Sequence, residues 1–159
     1  MKLVPLMTLK GRVEAPIEIG KLHNGTRRIY NVVGGEFHGD RLRGTVLPGG
    51  GEWFMHGDGS LGEVDVRLTL QTDEGATGSD ETGAHIFMRY TGVMDFNEKV
   101  LHALSAGRPS EFGDNRFLTQ VRFECGDPRY AWLTTTIAVG EGRVHPDCVE
   151  YAVYEVAHS

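Results

Sequence analysis

Cysteine is scarce: Cys125 and Cys148 are the only two in 159 residues, and neither belongs to a C-x-x-C pair. A chain of this length hides roughly 70% of its unfolded surface and needs no disulfide staples. The two thiols are expected to be reduced and buried, although a single disulfide between them stays open. Basic charge is short as well. Sixteen Lys and Arg stand against 22 Asp and Glu, for a net charge of −6 and a pI near 5.6. A phosphate-backbone binder needs a cationic surplus, so nucleic acid is not an expected partner. The opening stretch Met1 to Met7 is interrupted by Pro5 and followed by Thr8 and Lys10. It is too short for a signal core or a membrane span, so a cytoplasmic location without membrane attachment is expected. The seven histidines form no H-E-x-x-H or H-x-H spacing, and no metal is expected. No G-x-S-x-G elbow occurs. The one literal G-x-G-x-x-G, at Gly57, Gly59 and Gly62, leads into a strand pattern where a dinucleotide fingerprint opens a helix. No cofactor is expected.

Glycine is what the chain has in excess. Its 22 residues are about twice the ordinary share of ~7%, which fits many turns between short strands. Period-two alternation runs through the segments starting at Met7, Arg28, Arg41, Glu63, His85, Arg116, Tyr130 and Val149. Between Glu63 and Thr72 it is cleanest, with Val64, Val66, Leu68 and Leu70 on one face and Asp65, Arg67, Thr69 and Gln71 on the other. Turns are expected at Asn24-Gly25, at Pro48 through Gly51, at Asp73-Glu74-Gly75, at Gly126-Asp127-Pro128 and at Gly140-Glu141-Gly142. Only Asp95 to Ala106 reads as helix, with Asp95 and Glu98 spaced as a capping box and Gly107 as the stop. These patterns predict one all-β domain over residues 1–159, an antiparallel barrel or sandwich of eight or nine strands.

The strands also carry polar and aromatic residues at face-sharing spacing. Asp65 and Arg67 are two apart, as are Arg122 and Glu124, and Tyr130 and Trp132. Such charged pairs on an antiparallel strand are most often solvated ion pairs, and strand aromatics are mostly packing. Trp53 follows a glycine run, a place from which a ring can line a barrel mouth or plug the core.

Several stretches, taken in order, resemble a known family. They are Gly34-Gly35-x-Phe37-x-Gly39, Leu47-Pro48-Gly49-Gly50 with Trp53, Asp65-x-Arg67 running to Asp73-x-Gly75, Tyr90-x-Gly92, Arg122-Phe123-Glu124, and Tyr130-x-Trp132-Leu133 with Val139-Gly140. Together they cover most of the chain, and their order and spacing resemble domain of unknown function 3237, also called uncharacterised protein family 0311. The resemblance implies a small closed β-barrel like that of allene oxide cyclase, and it does not imply an activity. Two features depart from the family pattern: Thr134 stands where Asn is frequent, and the Asp95 to Pro109 segment is longer.

A barrel of about eight strands is either filled or holds one small ligand. In the second case Asp65, Glu124 and Arg67 become candidate catalytic groups, with Trp53, Tyr90, Arg122, Trp132 and Thr134 as candidate substrate contacts. The expected function is then a cofactor-independent isomerase, cyclase or hydro-lyase acting on a small molecule. A carboxylate would serve as acid or base, and Arg67 would hold an anionic or carbonyl oxygen. The alternatives are a carrier of an apolar ligand and a structural homodimer with a filled barrel. A polar face turned inward would leave Val64, Val66, Leu68 and Leu70 outside, to be covered by a partner chain or by the helix, so a homodimer is expected.

Overall fold

The computed structural model describes residues 1–74 and 82–159. More than half of the chain is strand: β1 (Lys2–Val13), β2 (Ile17–Leu22), β3 (Gly25–His38), β4 (Arg43–Val46), β5 (Gly50–His56), β6 (Leu61–Thr72), β7 (His85–Asp95), β8 (Phe117–Glu124), β9 (Ala138–Val144) and β10 (Cys148–Ala157). One helix, α1 (Glu98–Ser105), and a 3-10 helix (Pro128–Thr135) interrupt the series. Every pairing is antiparallel, and β1 pairs with both β10 and β3, which closes the sheet into a barrel. The turn expected at Asp73-Glu74-Gly75 reaches Gly75, which lies outside the described residues. Among the described residues, no helix is long and apolar enough to cross a membrane.

Eight strands stand around the barrel because β4 and β5 share one lane between β3 and β6, β4 at one end and β5 at the other. β3 serves both ends by changing partners halfway, from β5 to β4 and β1, at Gly34 and Gly35. Both glycines have φ near +150°, and a Cβ on Gly35 would sit 2.0 Å from the Lys10 carbonyl oxygen. A side chain there would block the approach of β1 that closes the barrel.

The alternation read in β6 holds, and its polar face is the outer one, as in a solvated ion pair and not as the cavity lining that the candidate catalytic roles of Asp65 and Arg67 required. Val64, Val66, Leu68 and Leu70 are each at most 2% exposed and face the interior, while Asp65, Arg67 and Thr69 face out. A closed barrel buries one face of every strand, and the free energy of burying four aliphatic side chains decides which. The ground on which a partner chain was expected to cover that face is thereby removed.

One end of the barrel is plugged. The segment expected to be a strand from Tyr130 is the 3-10 helix instead, started by Asp127, whose carboxylate accepts from the Arg129 amide, and by Pro128 at its first turn. It drives Leu133 and Tyr130 into a core that includes Phe37, Leu70, Ile86 and Phe123. At the other end, α1 begins two residues later than the Asp95 box suggests. Asn97 is its cap: its Oδ1 accepts from the Val100 amide, and its Nδ2 donates to the Asp114 carbonyl at 2.8 Å. The expected stop is found, with Gly107 at φ +67°.

Candidate functional site

β1, β7 and β9 finish, and β8 and β10 begin, around a cavity of about 330 Å³ at the unplugged end. Its walls are apolar: Val13, Phe54, Met94, Phe96 and Phe117 from the barrel, with Leu104 laid over it by α1. Two glycines make room for its rings. A Cβ on Gly62 would lie 2.0 Å from Cζ of Phe54, and one on Gly142 would lie 2.6 Å from Cδ1 of Phe117. Phe54 and Phe96 meet edge to face at 5.6 Å, and His56 stacks on Phe96 at 5.5 Å. Such ring pairs add about 0.5 to 1.5 kcal/mol each beyond burial and stiffen the rim.

The polar groups in this wall are Tyr30, Glu52, His145 and Cys148. Glu52 is on β5, directly opposite Tyr30 on β3 and Val66 on β6, so its side chain points inward with the core residues. Among the described residues no donor forms a hydrogen bond to its carboxyl group. Burial penalises the charged form, the negative charge of Asp65 across the sheet adds to this, and together they push the Glu52 carboxyl up to about 8. At neutral pH it is chiefly the neutral acid, an O–H donor in an apolar surround. Burial also raises the Tyr30 phenol, against the opposing charge of Arg28. Beneath the cavity, Phe117 packs edge-on against Tyr151 at 5.3 Å and Tyr151 against Tyr90 at 4.9 Å. Both tyrosines are driven upward by burial and, in part, by proximity to Glu52.

His145, in the turn between β9 and β10, contributes the other titratable wall. Its Nε2 lies 2.7 Å from Oε2 of Glu150, which also accepts from the Arg143 guanidinium at 2.8 Å. Burial opposes ionisation of Glu150, but the bonds from His145 and Arg143 outweigh it and hold the carboxyl below its ordinary value. Cys148 is a free thiol, pushed up by burial and by the Asp147 charge, so it is not a thiolate at neutral pH. Among the described residues lining the cavity there is no lysine or arginine.

Of the candidate catalytic and substrate-contact residues named from sequence, Tyr90 alone is inside the barrel, 4% exposed beneath the cavity floor. Trp53, Asp65 and Arg67 do come together, but on the outer surface. The Arg67 guanidinium lies 4.9 Å from the Trp53 ring centroid, and Asp65 Oδ1 sits 3.6 Å from Arg67 and 3.7 Å from Arg89. Arg122 and Glu124 occupy the exposed positions of β8, whose inward residues are Val121 and Phe123. Trp132 lies at the plugged end under Arg41, whose guanidinium is 4.0 Å from its ring, and Thr134 is exposed on the 3-10 helix beside it. Arg41 in turn pairs with Glu155. The sequence reading missed Glu52 and His145. For Glu52 a signal existed: it is two residues before Phe54 in a Trp-Phe-Met run, an acid on the same strand face as a core ring.

Comparison with known proteins agrees with this architecture. A UPF0311 protein of Rhodopseudomonas palustris, RPA1785, is 29% identical over 151 residues, 95% of this chain and 94% of that one. Its crystal structure matches with a TM-score of 0.82 over 99% of each chain. A beta-barrel like protein from Acinetobacter baumannii AYE is 29% identical with a TM-score of 0.79, covering 98% of this chain and 96% of that one. A crystal structure described as an enzyme from Penicillium herquei shares the fold at 17% identity, TM-score 0.69, over 98% of this chain and 94% of that one. Sequence match, barrel closure and strand order lead to one assignment: from residue 1 to 156 the chain belongs to the family described as Protein of unknown function (DUF3237).

Proposed function

We propose that this barrel is a small-molecule enzyme working without a bound cofactor, an isomerase, cyclase or hydro-lyase in which Glu52 is the proton donor. The observation that carries the reading is an unpaired carboxyl group, pushed up to about 8, in the wall of an otherwise apolar cavity. An unpartnered buried acid costs stability, and functional sites are where that cost is retained. A carboxylic acid that is neutral at pH 7 gives up a proton in the transition state and takes it back afterwards. The three reaction classes share this requirement, since each moves protons and a double bond with no net oxidation. This assigns to Glu52 the role that the sequence suggested for Asp65 or Glu124.

The cavity also restricts the substrate. With no lysine or arginine among the described residues of its wall, a carboxylate or phosphate would lose its hydration with little compensation. A neutral, largely apolar molecule with a carbonyl or hydroxyl for Glu52 or Tyr30 fits, and at interior packing density the space holds roughly 12 to 15 non-hydrogen atoms. That the fold hosts catalysis elsewhere is supported by the Penicillium herquei enzyme, as analogy only.

Mass spectrometry of small molecules extracted from the purified protein tests the reading. A neutral molecule of that size is expected, and returning it to the protein in deuterated water should add deuterium at a carbon atom. Glu52→Gln should bind it without labelling it. A ligand that wild-type protein binds but never labels would make the barrel a carrier, and labelling by Glu52→Gln at the wild-type rate would take Glu52 out of the chemistry.

A further inference from the structure

A proton donor alone completes none of these reactions, because a second group must remove a proton from the same substrate. Counting around the barrel, β9 is the fourth strand from β5 in either direction, so the β9–β10 turn belongs to the wall across the barrel from the one that carries Glu52. That turn places His145 in the cavity wall. Its backbone is fixed by a hydrogen bond from the His145 amide to the Cys148 carbonyl at 2.9 Å. Its ring is fixed by Glu150, and the side chains of His145 and Glu150 retain only 18% and 11% exposure.

The hydrogen-bond pattern sets the tautomer. The Glu150 carboxylate accepts from Arg143, and Arg143 reaches Glu111 at 3.3 Å with another nitrogen. An ionised carboxylate has no proton to give, so Nε2 of His145 is the donor in its bond to Glu150, and in the neutral imidazole it is Nδ1 that carries the lone pair. No described residue bonds to Nδ1. An imidazole in the wall of an apolar cavity, with a buried carboxylate behind it and its basic nitrogen unengaged, has the parts of a general base.

We propose that His145 is the second proton-transfer group of the cavity, acting across it from Glu52, with Glu150 as its positioning residue. The inference rests on the reading of the cavity as a catalytic site with Glu52 as its acid. In the forward step Nδ1 takes a proton from a C–H or O–H of the substrate, and the electron pair of that bond forms or shifts a double bond or attacks carbon. The Glu52 O–H delivers a proton to the atom that gains electrons on the far side. The products are the rearranged neutral molecule, the imidazolium and the Glu52 carboxylate, and transfer through solvent resets both groups. The substrate class is thereby narrowed to a neutral molecule with an acidic hydrogen at one end and a proton acceptor at the other.

A probe of this chemistry is 5-nitrobenzisoxazole, a neutral aromatic of about a dozen non-hydrogen atoms, within the size range of ligand cavities. A base removes its ring C–H proton, that electron pair becomes the third bond of a nitrile, and the N–O bond breaks to give a coloured phenolate that a nearby acid stabilises. Wild-type protein should turn the probe over faster than imidazole and acetate free in buffer. His145→Gln should lose roughly a hundredfold of that rate. Glu150→Gln should lose less, and the double variant should be no slower than His145→Gln, because Glu150 acts through the imidazole. In His145→Ala, added imidazole should restore rate, a result that a purely structural histidine does not give. Thermal melts accompany each variant, and imidazole rescue is read on whatever fraction stays folded. A His145→Gln rate equal to wild type, absence of rescue, or a wild-type rate no greater than buffer overturns this proposal. If instead His145 behaves as expected and Glu52→Gln has the wild-type rate, it is the Glu52 reading that fails.

Discussion

Replacing Glu52 by Gln should make the protein more stable, by an amount that grows with pH. In the unfolded chain the carboxyl titrates at its ordinary value of 4.5, and in the folded chain burial and the Asp65 charge move it to about 8. Between these values the folded state holds a proton that the unfolded state has released, so ν for the native state exceeds that for the unfolded state and stability falls as pH rises. This stability is fully present below pH ~4.5, is lost progressively on the way to pH ~8, and changes little beyond. At about 1.4 kcal/mol per pH unit, the full loss approaches 5 kcal/mol, an upper bound, and about 3 to 4 kcal/mol of it falls between pH ~5 and ~8. Gln has nearly the same shape and does not titrate. Burying its amide costs on the order of 1 to 3 kcal/mol, but that offset is independent of pH and drops out of the slope. Urea unfolding of both proteins at several pH values between ~5 and ~8 measures the difference, which should climb in favour of the variant at up to about 1.4 kcal/mol per unit. Parallel stability curves would refute the claim that Glu52 is a buried, uncompensated acid.

Other expectations follow from the same geometry. Asp65→Asn should cost less than about 1 kcal/mol, as an outward ion pair does, and should narrow the pH window of the Glu52 effect at its alkaline end because one cause of the shift is removed; urea melts on that variant read both. Gly62→Ala puts a methyl 2.0 Å from the Phe54 ring, so the ring must move into the cavity. Thermal melts should show a loss of about 1 to 3 kcal/mol, with weaker binding of the extracted ligand. Asn97→Ala removes the α1 cap and the bond to the Asp114 carbonyl, for about 1 kcal/mol and faster amide exchange at Val100.

The β architecture was legible because burial acts on every strand alike: wherever apolar residues alternate, one face must go inside. Which face was less legible at β6, because a barrel that holds a ligand can turn a polar face inward, whereas the free energy of burying four aliphatic side chains acts the other way. Two elements were hidden by punctuation. β5 begins in a glycine run that reads as a stop, but a Cβ on Gly50 would lie 2.6 Å from the Arg67 carbonyl oxygen, so the glycine is there because β6 passes so close. β9 runs through Gly140-Glu141-Gly142, and Gly142 is small because the Phe117 ring occupies the space its side chain would need. The 3-10 helix was hidden by period-two spacing in Tyr130, Trp132, Thr134 and Thr136. Asp127-Pro128 is a helix-start signal of equal clarity that the alternation outweighed. Glu52 and His145 were beyond reach for a deeper reason. They are 93 positions apart, and only the closure of β1 on β3 and β10 makes their walls face each other.

The two ends of the barrel divide the work that a marginally stable fold must do. At the plugged end Phe37, Leu70, Ile86 and Leu133 are wholly buried, and each such side chain contributes about 1.5 to 3 kcal/mol. At the open end a cavity lowers the packing contribution and a buried acid subtracts more at neutral pH. A net stability of roughly 5 to 15 kcal/mol tolerates that subtraction only if the remainder of the core is well filled. It also explains why the acid is a single carboxyl rather than the Asp65–Arg67 pair: moving both ions into the same wall would add two desolvation costs for one interaction, whereas a carboxyl that keeps its proton enters the interior uncharged. The same protonation that makes Glu52 tolerable inside the barrel is what would make it a donor in the proposed reaction, so one environment sets both its cost to the fold and its proposed chemistry.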